Sequence, residues 1–311
     1  MYRDCFTRRV FGLCLLLVVV TACSRNAVVP QRMLEARYAH AAVEDGKRIF
    51  ILAGSNDSGF LSDVEVYDPV TGQLEQWKDK LIPRRYFSAV WDGKESIYIL
   101  GGVSMSGAGA GLETRVEVLN TKTGDVTFAA NLPMPTRSNT AVLANGRIFV
   151  FGGSLIMRTH LVPTATVAVY DLSKQQWLRA EDMPMAKDTR AVVKDDWIYL
   201  VGGYDHKRAL RSFERFNPTT NEWQMLPDLP IALSAHSVTV KQNKLLVFGD
   251  YEQMASTYSY DFNKAQWQKL DLGYEASRHN AAVTLGQQVY VFGGTTGQSG
   301  PFLDYIQKFR L

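Results

Sequence analysis

The 311-residue sequence is poor in cysteine: it has three, Cys5, Cys14 and Cys23, and none beyond residue 23. From residue 24 onward there is no disulfide, no cysteine metal ligand and no thiol nucleophile to consider. Histidine is almost as scarce. His40, His160, His206, His236 and His279 are scattered without ligand spacing, so no metal site is expected. A nucleophile elbow, a phosphate loop and a Gly-x-Gly-x-x-Gly turn between strand and helix are all missing, and no cofactor is expected. Gly107-Ala108-Gly109-Ala110-Gly111 reads as a flexible loop, because nothing helical follows it. Net charge is small too. Of the formal +3, Arg3, Arg8 and Arg9 against Asp4 account for most, leaving about +1 beyond residue 22, too near neutral for nucleic-acid binding. Finally, the ten-residue apolar run from Phe11 to Val20 is half of the roughly 20 residues that a spanning helix needs.

That short run has arginines before it and Thr21-Ala22-Cys23-Ser24 directly after it, which is the layout of a cleaved export signal covering residues 1–22. Val20-Thr21-Ala22-Cys23 resembles the bacterial lipobox. The resemblance implies cleavage before Cys23, a lipid on Cys23 and a protein anchored to a membrane of the cell envelope. Ser24, where aspartate would imply inner-membrane retention, implies the periplasmic face of the outer membrane.

The remainder repeats itself. Six apolar four-residue runs each end in a small pair: Ala53-Gly54, Gly101-Gly102, Gly152-Gly153, Gly202-Gly203, Gly249-Asp250 and Gly293-Gly294. The first members of these pairs are 48, 51, 50, 47 and 44 residues apart. Upstream of each run lies a short Ala-, Ser- and Val-rich segment, set off by turn pairs such as Asp45-Gly46 and Asn145-Gly146. Downstream, Val64-Glu65-Val66-Tyr67-Asp68 and Val167-Ala168-Val169-Tyr170-Asp171 alternate as strands do. Trp177, Trp223 and Trp267 follow seven residues after the strand aromatic.

The order of diglycine, Tyr-Asp and Trp resembles the Kelch motif. It implies an all-β, six-bladed Kelch-type β-propeller, with residues 23–311 as one domain. Small residues suit the inner strand because it crowds the axis, and the Trp and Tyr side chains fill the space between blades. The last repeat stops after its third strand, so Asn26 to Pro30 is expected to supply the fourth and close the ring.

Galactose oxidases are similar in fold, but their Tyr-Cys crosslink has no counterpart without a free cysteine. Periplasmic N-acetylneuraminate epimerases are similar in fold and compartment, which makes a sugar-acid mutarotase the alternative reading. No catalytic segment matches them residue by residue. The reading preferred is a protein- or glycan-binding module rather than an enzyme, with an envelope protein or an anionic sugar as partner.

Counting back from each glycine pair places Tyr38, Tyr86, Arg137, Lys187, Ser234 and Arg278 in one ring at a channel mouth. Two residues further in come His40, Ser88, Asn139, Thr189, His236 and Asn280, on the same side because strand side chains alternate. Arg37 and Arg85 just precede the first ring, giving five cations that would suit a carboxylate or phosphate. The competing expectation is that these cations pair with Glu65, Glu117, Glu214 or loop acids and tie blade to blade.

Overall fold

A computed structural model describes residues 31–106, 109–158 and 160–311. The export signal, Cys23 and the segment from Asn26 to Pro30 lie outside the described residues. All regular structure described is strand. Each repeat folds as a four-stranded antiparallel meander, and six such sheets are present among the described residues. In blade 1 the strands are Ala41–Glu44, Ile49–Leu52, Val64–Tyr67 and Leu74–Trp77, from the axis outward. Blades 2 to 6 begin with the inner strands Ser88–Trp91, Thr140–Ala144, Asp188–Lys194, Ser237–Lys241 and Ala281–Leu285. The chain is an all-β propeller of the expected kind.

The core is divided into six apolar clusters, one at each junction between neighbouring blades. Phe50 and Leu52 of blade 1 pack with Ile97 and Ile99 of blade 2, and the cluster of Ile49, Ile51, Tyr67, Tyr290 and Phe292 joins blade 6 back to blade 1. Every blade therefore buries both faces. Burial of a side chain such as Phe50 or Phe292, both without solvent contact, stabilises the fold by roughly 1.5–3 kcal/mol.

Ring closure is visible in part. Gln31–Arg32 forms the outer strand of the last blade, pairing Gln31 with Ile306 and Arg32 with Tyr305. Met33 N–H extends the pairing to the Asp304 carbonyl at 2.7 Å. Tyr67 Oη donates to Gln31 Oε1 at 2.7 Å, fastening this strand to blade 1 as well.

Strand direction gives the disc two faces. Inner strands start at the upper face, where the segments after the glycine pairs also lie; the Asp45-Gly46 turn and its equivalents lie at the lower face. At the upper face the first glycine of a pair meets the next blade at a distance no side chain tolerates. A Cβ on Gly249 would stand 2.1 Å from the Ser277 carbonyl, and φ there is +77°. The segments after the second and third glycine pairs are hairpins: Val103–Ser106 pairs with Gly109–Leu112, and Ser154–Met157 with His160–Pro163. Gly109 to Gly111, expected in a flexible loop, is thus in a strand.

Candidate functional site

The mouth is built from the residues that pair with the position following each glycine pair. The observed pairings are Tyr38 with Ser55, Arg85 with Val103, Arg137 with Ser154, Asp188 with Tyr204, and Arg278 with Thr295. Two members of the ring counted from the sequence are therefore displaced. Tyr86 yields its place to Arg85, because the first hairpin of blade 2 holds one more residue than that of blade 1 (92–96 against 45–48). Lys187 yields to Asp188, because a β-bulge leaves the inner strand of blade 4 one residue short: the two steps from Arg190 to Asp188 face three on the second strand, from Val201 to Tyr204.

The displaced cations serve the scaffold. Lys187 is fully buried and its Nζ meets Glu214 Oε2 at 2.6 Å and Ser212 Oγ at 2.7 Å. Arg37, equally buried, reaches Glu65 at 2.5 Å, Asp63 at 2.9 Å and the Ala53 carbonyl at 2.8 Å. Arg84 does the same with Glu117 at 2.5 Å. These are pairs within a blade, joining its lead-in segment to its third strand, and not ties between blades. His40, Asn139 and Asn280 are buried as well. Asn139 Nδ2 donates to the Thr136 carbonyl at 3.1 Å and Asn280 Nδ2 to Tyr274 Oη at 2.6 Å, so neither faces the mouth.

Just inside the mouth, a belt of backbone hydrogen bonds crosses the axis from blade to blade. Tyr86 N–H donates to Ala39 at 2.8 Å, Ser138 to Tyr86 at 2.7 Å, Ala39 to His279 at 2.9 Å and His279 to Ala235 at 2.7 Å. All five residues have φ between +52° and +57°, a conformation that costs a non-glycine residue of order 1 kcal/mol and persists only when held by its surroundings. Blade 4 departs from this pattern. The bulge gives it no left-handed residue at that level, and among the described residues the belt has no counterpart there.

A cavity of about 830 Å³ opens at that irregularity, lined by Arg137, Asp188, Arg190, His206, Ser234 and Tyr251 among others. Arg190 was missed from the sequence, although a signal exists. The register aligns it with Ala41, Ser88, Thr140, Ser237 and Ala281, and it is the large residue in a ring of small ones. Tyr86, His236 and His279 also line the cavity.

Arg137 and Arg190 line this cavity and Arg85 and Arg278 lie beside it around His279; none of the four forms an ion pair among the described residues, although Asp188 acts on Arg190 through its charge. Arg137 lies over the Tyr86 ring at 4.1 Å and Arg278 over Tyr251 at 3.8 Å, while Arg85 sits over Phe60 at 4.8 Å and donates to Tyr38 Oη. Arg190 donates from Nη1 to the Thr189 carbonyl at 2.9 Å. The Nε atoms of Arg85, Arg137 and Arg278 have no hydrogen-bond partner. Their joint field is felt at His279, whose pKa is lowered to about 3 by burial and then by Arg190, Arg278, Arg137 and Arg85. His236 is lowered to about 3 in the same way, by burial and then by Arg190. The histidines are thus neutral and the arginines remain the charge of the site.

Acids line the same cavity, and Asp188 acts on Arg190 through its charge. Asp188 Oδ1 accepts from Ser154 Oγ at 2.5 Å, and His206 Nε2 lies 2.5 Å from the same hydroxyl and 3.8 Å from Asp188 Oδ2. Asp250 is occupied by the backbone N–H groups of Ser234, Glu252 and Gln253 at 2.8–3.0 Å. Among the described residues no cluster of His, Cys, Asp and Glu is disposed to hold a metal ion.

Comparison with known proteins agrees with the repeat. Residues 78–249 match the family described as the KLHDC2/KLHL20/DRC7 Kelch-repeats domain, and residues 36–73 match the Kelch motif. Kelch-like protein terF of Aspergillus terreus is 28% identical over 70% of this chain and 51% of its own length. Human Kelch-like protein 23 is 26% identical over 68% of this chain and 36% of its own. Spermatocyte protein spe-26 of Caenorhabditis elegans is 31% identical over 61% of this chain and 33% of its own. The chain thus spans between about a third and about half of the length of these relatives.

Proposed function

The chain belongs to the Kelch-repeat family, and from that premise we propose that it is a capture module that binds an anionic group in the upper mouth of the propeller. The observation that carries the reading is the convergence of Arg85, Arg137, Arg190 and Arg278 on His279 beside one cavity, none of them in an ion pair among the described residues, with Asp188 the acid that acts on Arg190. A planar guanidinium stacked on an aromatic ring is held in place and keeps its N–H edge free for a carboxylate or phosphate. Arg37, Arg84 and Lys187, which hold the scaffold, each meet a buried glutamate. The mouth arginines lack one.

On this reading the export signal and Cys23 make the protein a lipoprotein of the bacterial envelope, on the periplasmic face of the outer membrane. Its ligand there is an envelope protein or an anionic sugar. The contact between His206 and Asp188 at the cavity wall favours a second reading, in which the two exchange protons with a bound sugar acid as a mutarotase requires.

Calorimetric titration of the purified protein with N-acetylneuraminate, glucuronate and galacturonate, against the neutral sugars glucose and galactose, tests the anion site. Heat from at least one acid, falling as salt rises, and none from the neutral sugars, is expected. Equal heats from glucuronate and glucose would refute it. Exchange of the anomers of a bound acid, followed by NMR, would favour the mutarotase.

A further inference from the structure

The lower face is unevenly charged. Over blades 1 to 4 its turns mix signs, and some of these charges pair, as Arg48 does with Asp45 at 3.0 Å and Lys194 with Asp195 at 2.9 Å. Over blades 5 and 6 the picture changes. Lys244, Lys264, Lys308 and Arg310 are exposed, and none forms an ion pair among the described residues. Lys241 beneath them donates to the carbonyls of Gln287 and Leu311 at 2.7 and 2.8 Å. Asp261, an acid of this sector, is occupied by the N–H groups of Asn263 and Lys264 at 2.9 and 3.1 Å.

The described chain also begins in this sector. The strand Tyr305–Phe309 runs down to the lower face and Gln31–Arg32 runs antiparallel to it, so Gln31, paired with Ile306, is nearer the lower face than Arg32. Gln31 Nε2 donates to the carbonyl of Gly72, in a lower-face turn of blade 1 whose Val70 is 90% exposed. Cys23 is eight residues earlier, within at most about 27 Å of Gln31 along an extended chain.

We propose that the lower face of blades 5 and 6 docks on a bilayer by binding anionic phospholipid headgroups, with the mouth on the opposite face turned away from the membrane. The proposal rests on the lipoprotein reading of Cys23, since a tether of that length keeps this sector near the bilayer. Lysines and arginines within a Debye length of an anionic surface add their attractions. The exposed Val70 and Leu311 can enter the headgroup layer beside them.

The test compares the full chain purified from membranes with its Cys23→Ser form and with Cys23→Ser carrying Lys244→Gln, Lys264→Gln, Lys308→Gln and Arg310→Gln. Each is sedimented with phosphatidylcholine vesicles, with or without about 30% phosphatidylglycerol, at about 50 mM salt. The Cys23→Ser form is expected to bind only the anionic vesicles, less as salt rises. The four added substitutions should weaken binding roughly fivefold for each charge removed, with an unchanged thermal midpoint. Equal sedimentation with both vesicle types, or undiminished binding by the multiple variant, would overturn the proposal. The mass of the fragment containing Cys23 separates the two claims. A lipidated Cys23 without preference for anionic vesicles defeats the surface and spares the anchor; an unmodified Cys23 with that preference defeats the anchor and supports the surface.

Discussion

His40 offers a sharp physical test of the propeller interior. It lies 6% exposed on the inner face of blade 1, and both ring nitrogens lack a hydrogen-bond partner. Burial, and then the neighbouring charge of Arg37, lowers its pKa from 6.5 to about 3. The folded protein therefore holds this ring neutral, while the unfolded chain takes up a proton below pH 6.5. Stability must fall as pH drops from the unfolded value towards the folded one, by about 1.4 kcal/mol per pH unit. Between pH 7 and pH 5 this amounts to about 2 kcal/mol from His40 alone. Other groups titrate in the same range, so the comparison needed is with His40→Leu, which removes the titration and leaves no buried polar nitrogen unpaired. Denaturant unfolding at pH 7 and pH 5 should show His40→Leu losing about 2 kcal/mol less than wild type over that interval. Equal losses in the two proteins would show that the ring is protonated in the folded state and that the interior is wetter than described.

Lys187→Met should cost about 3–5 kcal/mol by leaving Glu214 buried and unpaired, and adding Glu214→Leu should recover most of it; thermal unfolding of both variants checks this. Gly249→Ala, which drives a methyl group against the Ser277 carbonyl at 2.1 Å, should destabilise by more than about 2 kcal/mol, read from the denaturant midpoint. Cys23→Ser should move the protein from the membrane to the soluble fraction after a high-salt wash, as followed by immunoblot; continued sedimentation would contradict the lipid anchor.

The blades were legible because their determinants are local. Glycine pairs at near-regular spacing, hairpin turn pairs and alternating strands each act within a few residues, and together they placed every inner strand. The register of the mouth was not legible to the same degree. One extra residue in the turn at 92–96 and one bulge at Asp188 shift side chains by a position, and a one-residue slip reverses which way a strand residue points. The roles of Arg37 and Lys187 depended on carboxylates 28 and 27 residues away, within reach only once the third strand is paired. Arg190 is different, since a bulky cation in a column of Ala, Ser and Thr can be read without coordinates.

The central claim is that the mouth arginines are there for a ligand and not for the fold. Arg137→Gln combined with Arg278→Gln decides it when stability and binding are measured on the same preparation. Stacked, unpaired arginines at a partly open site predict a loss of less than about 1 kcal/mol in denaturant unfolding. They also predict that the calorimetric heat of the sugar acid bound by wild type disappears. A double variant that binds that acid as wild type does, or that loses several kcal/mol of stability, would contradict the account.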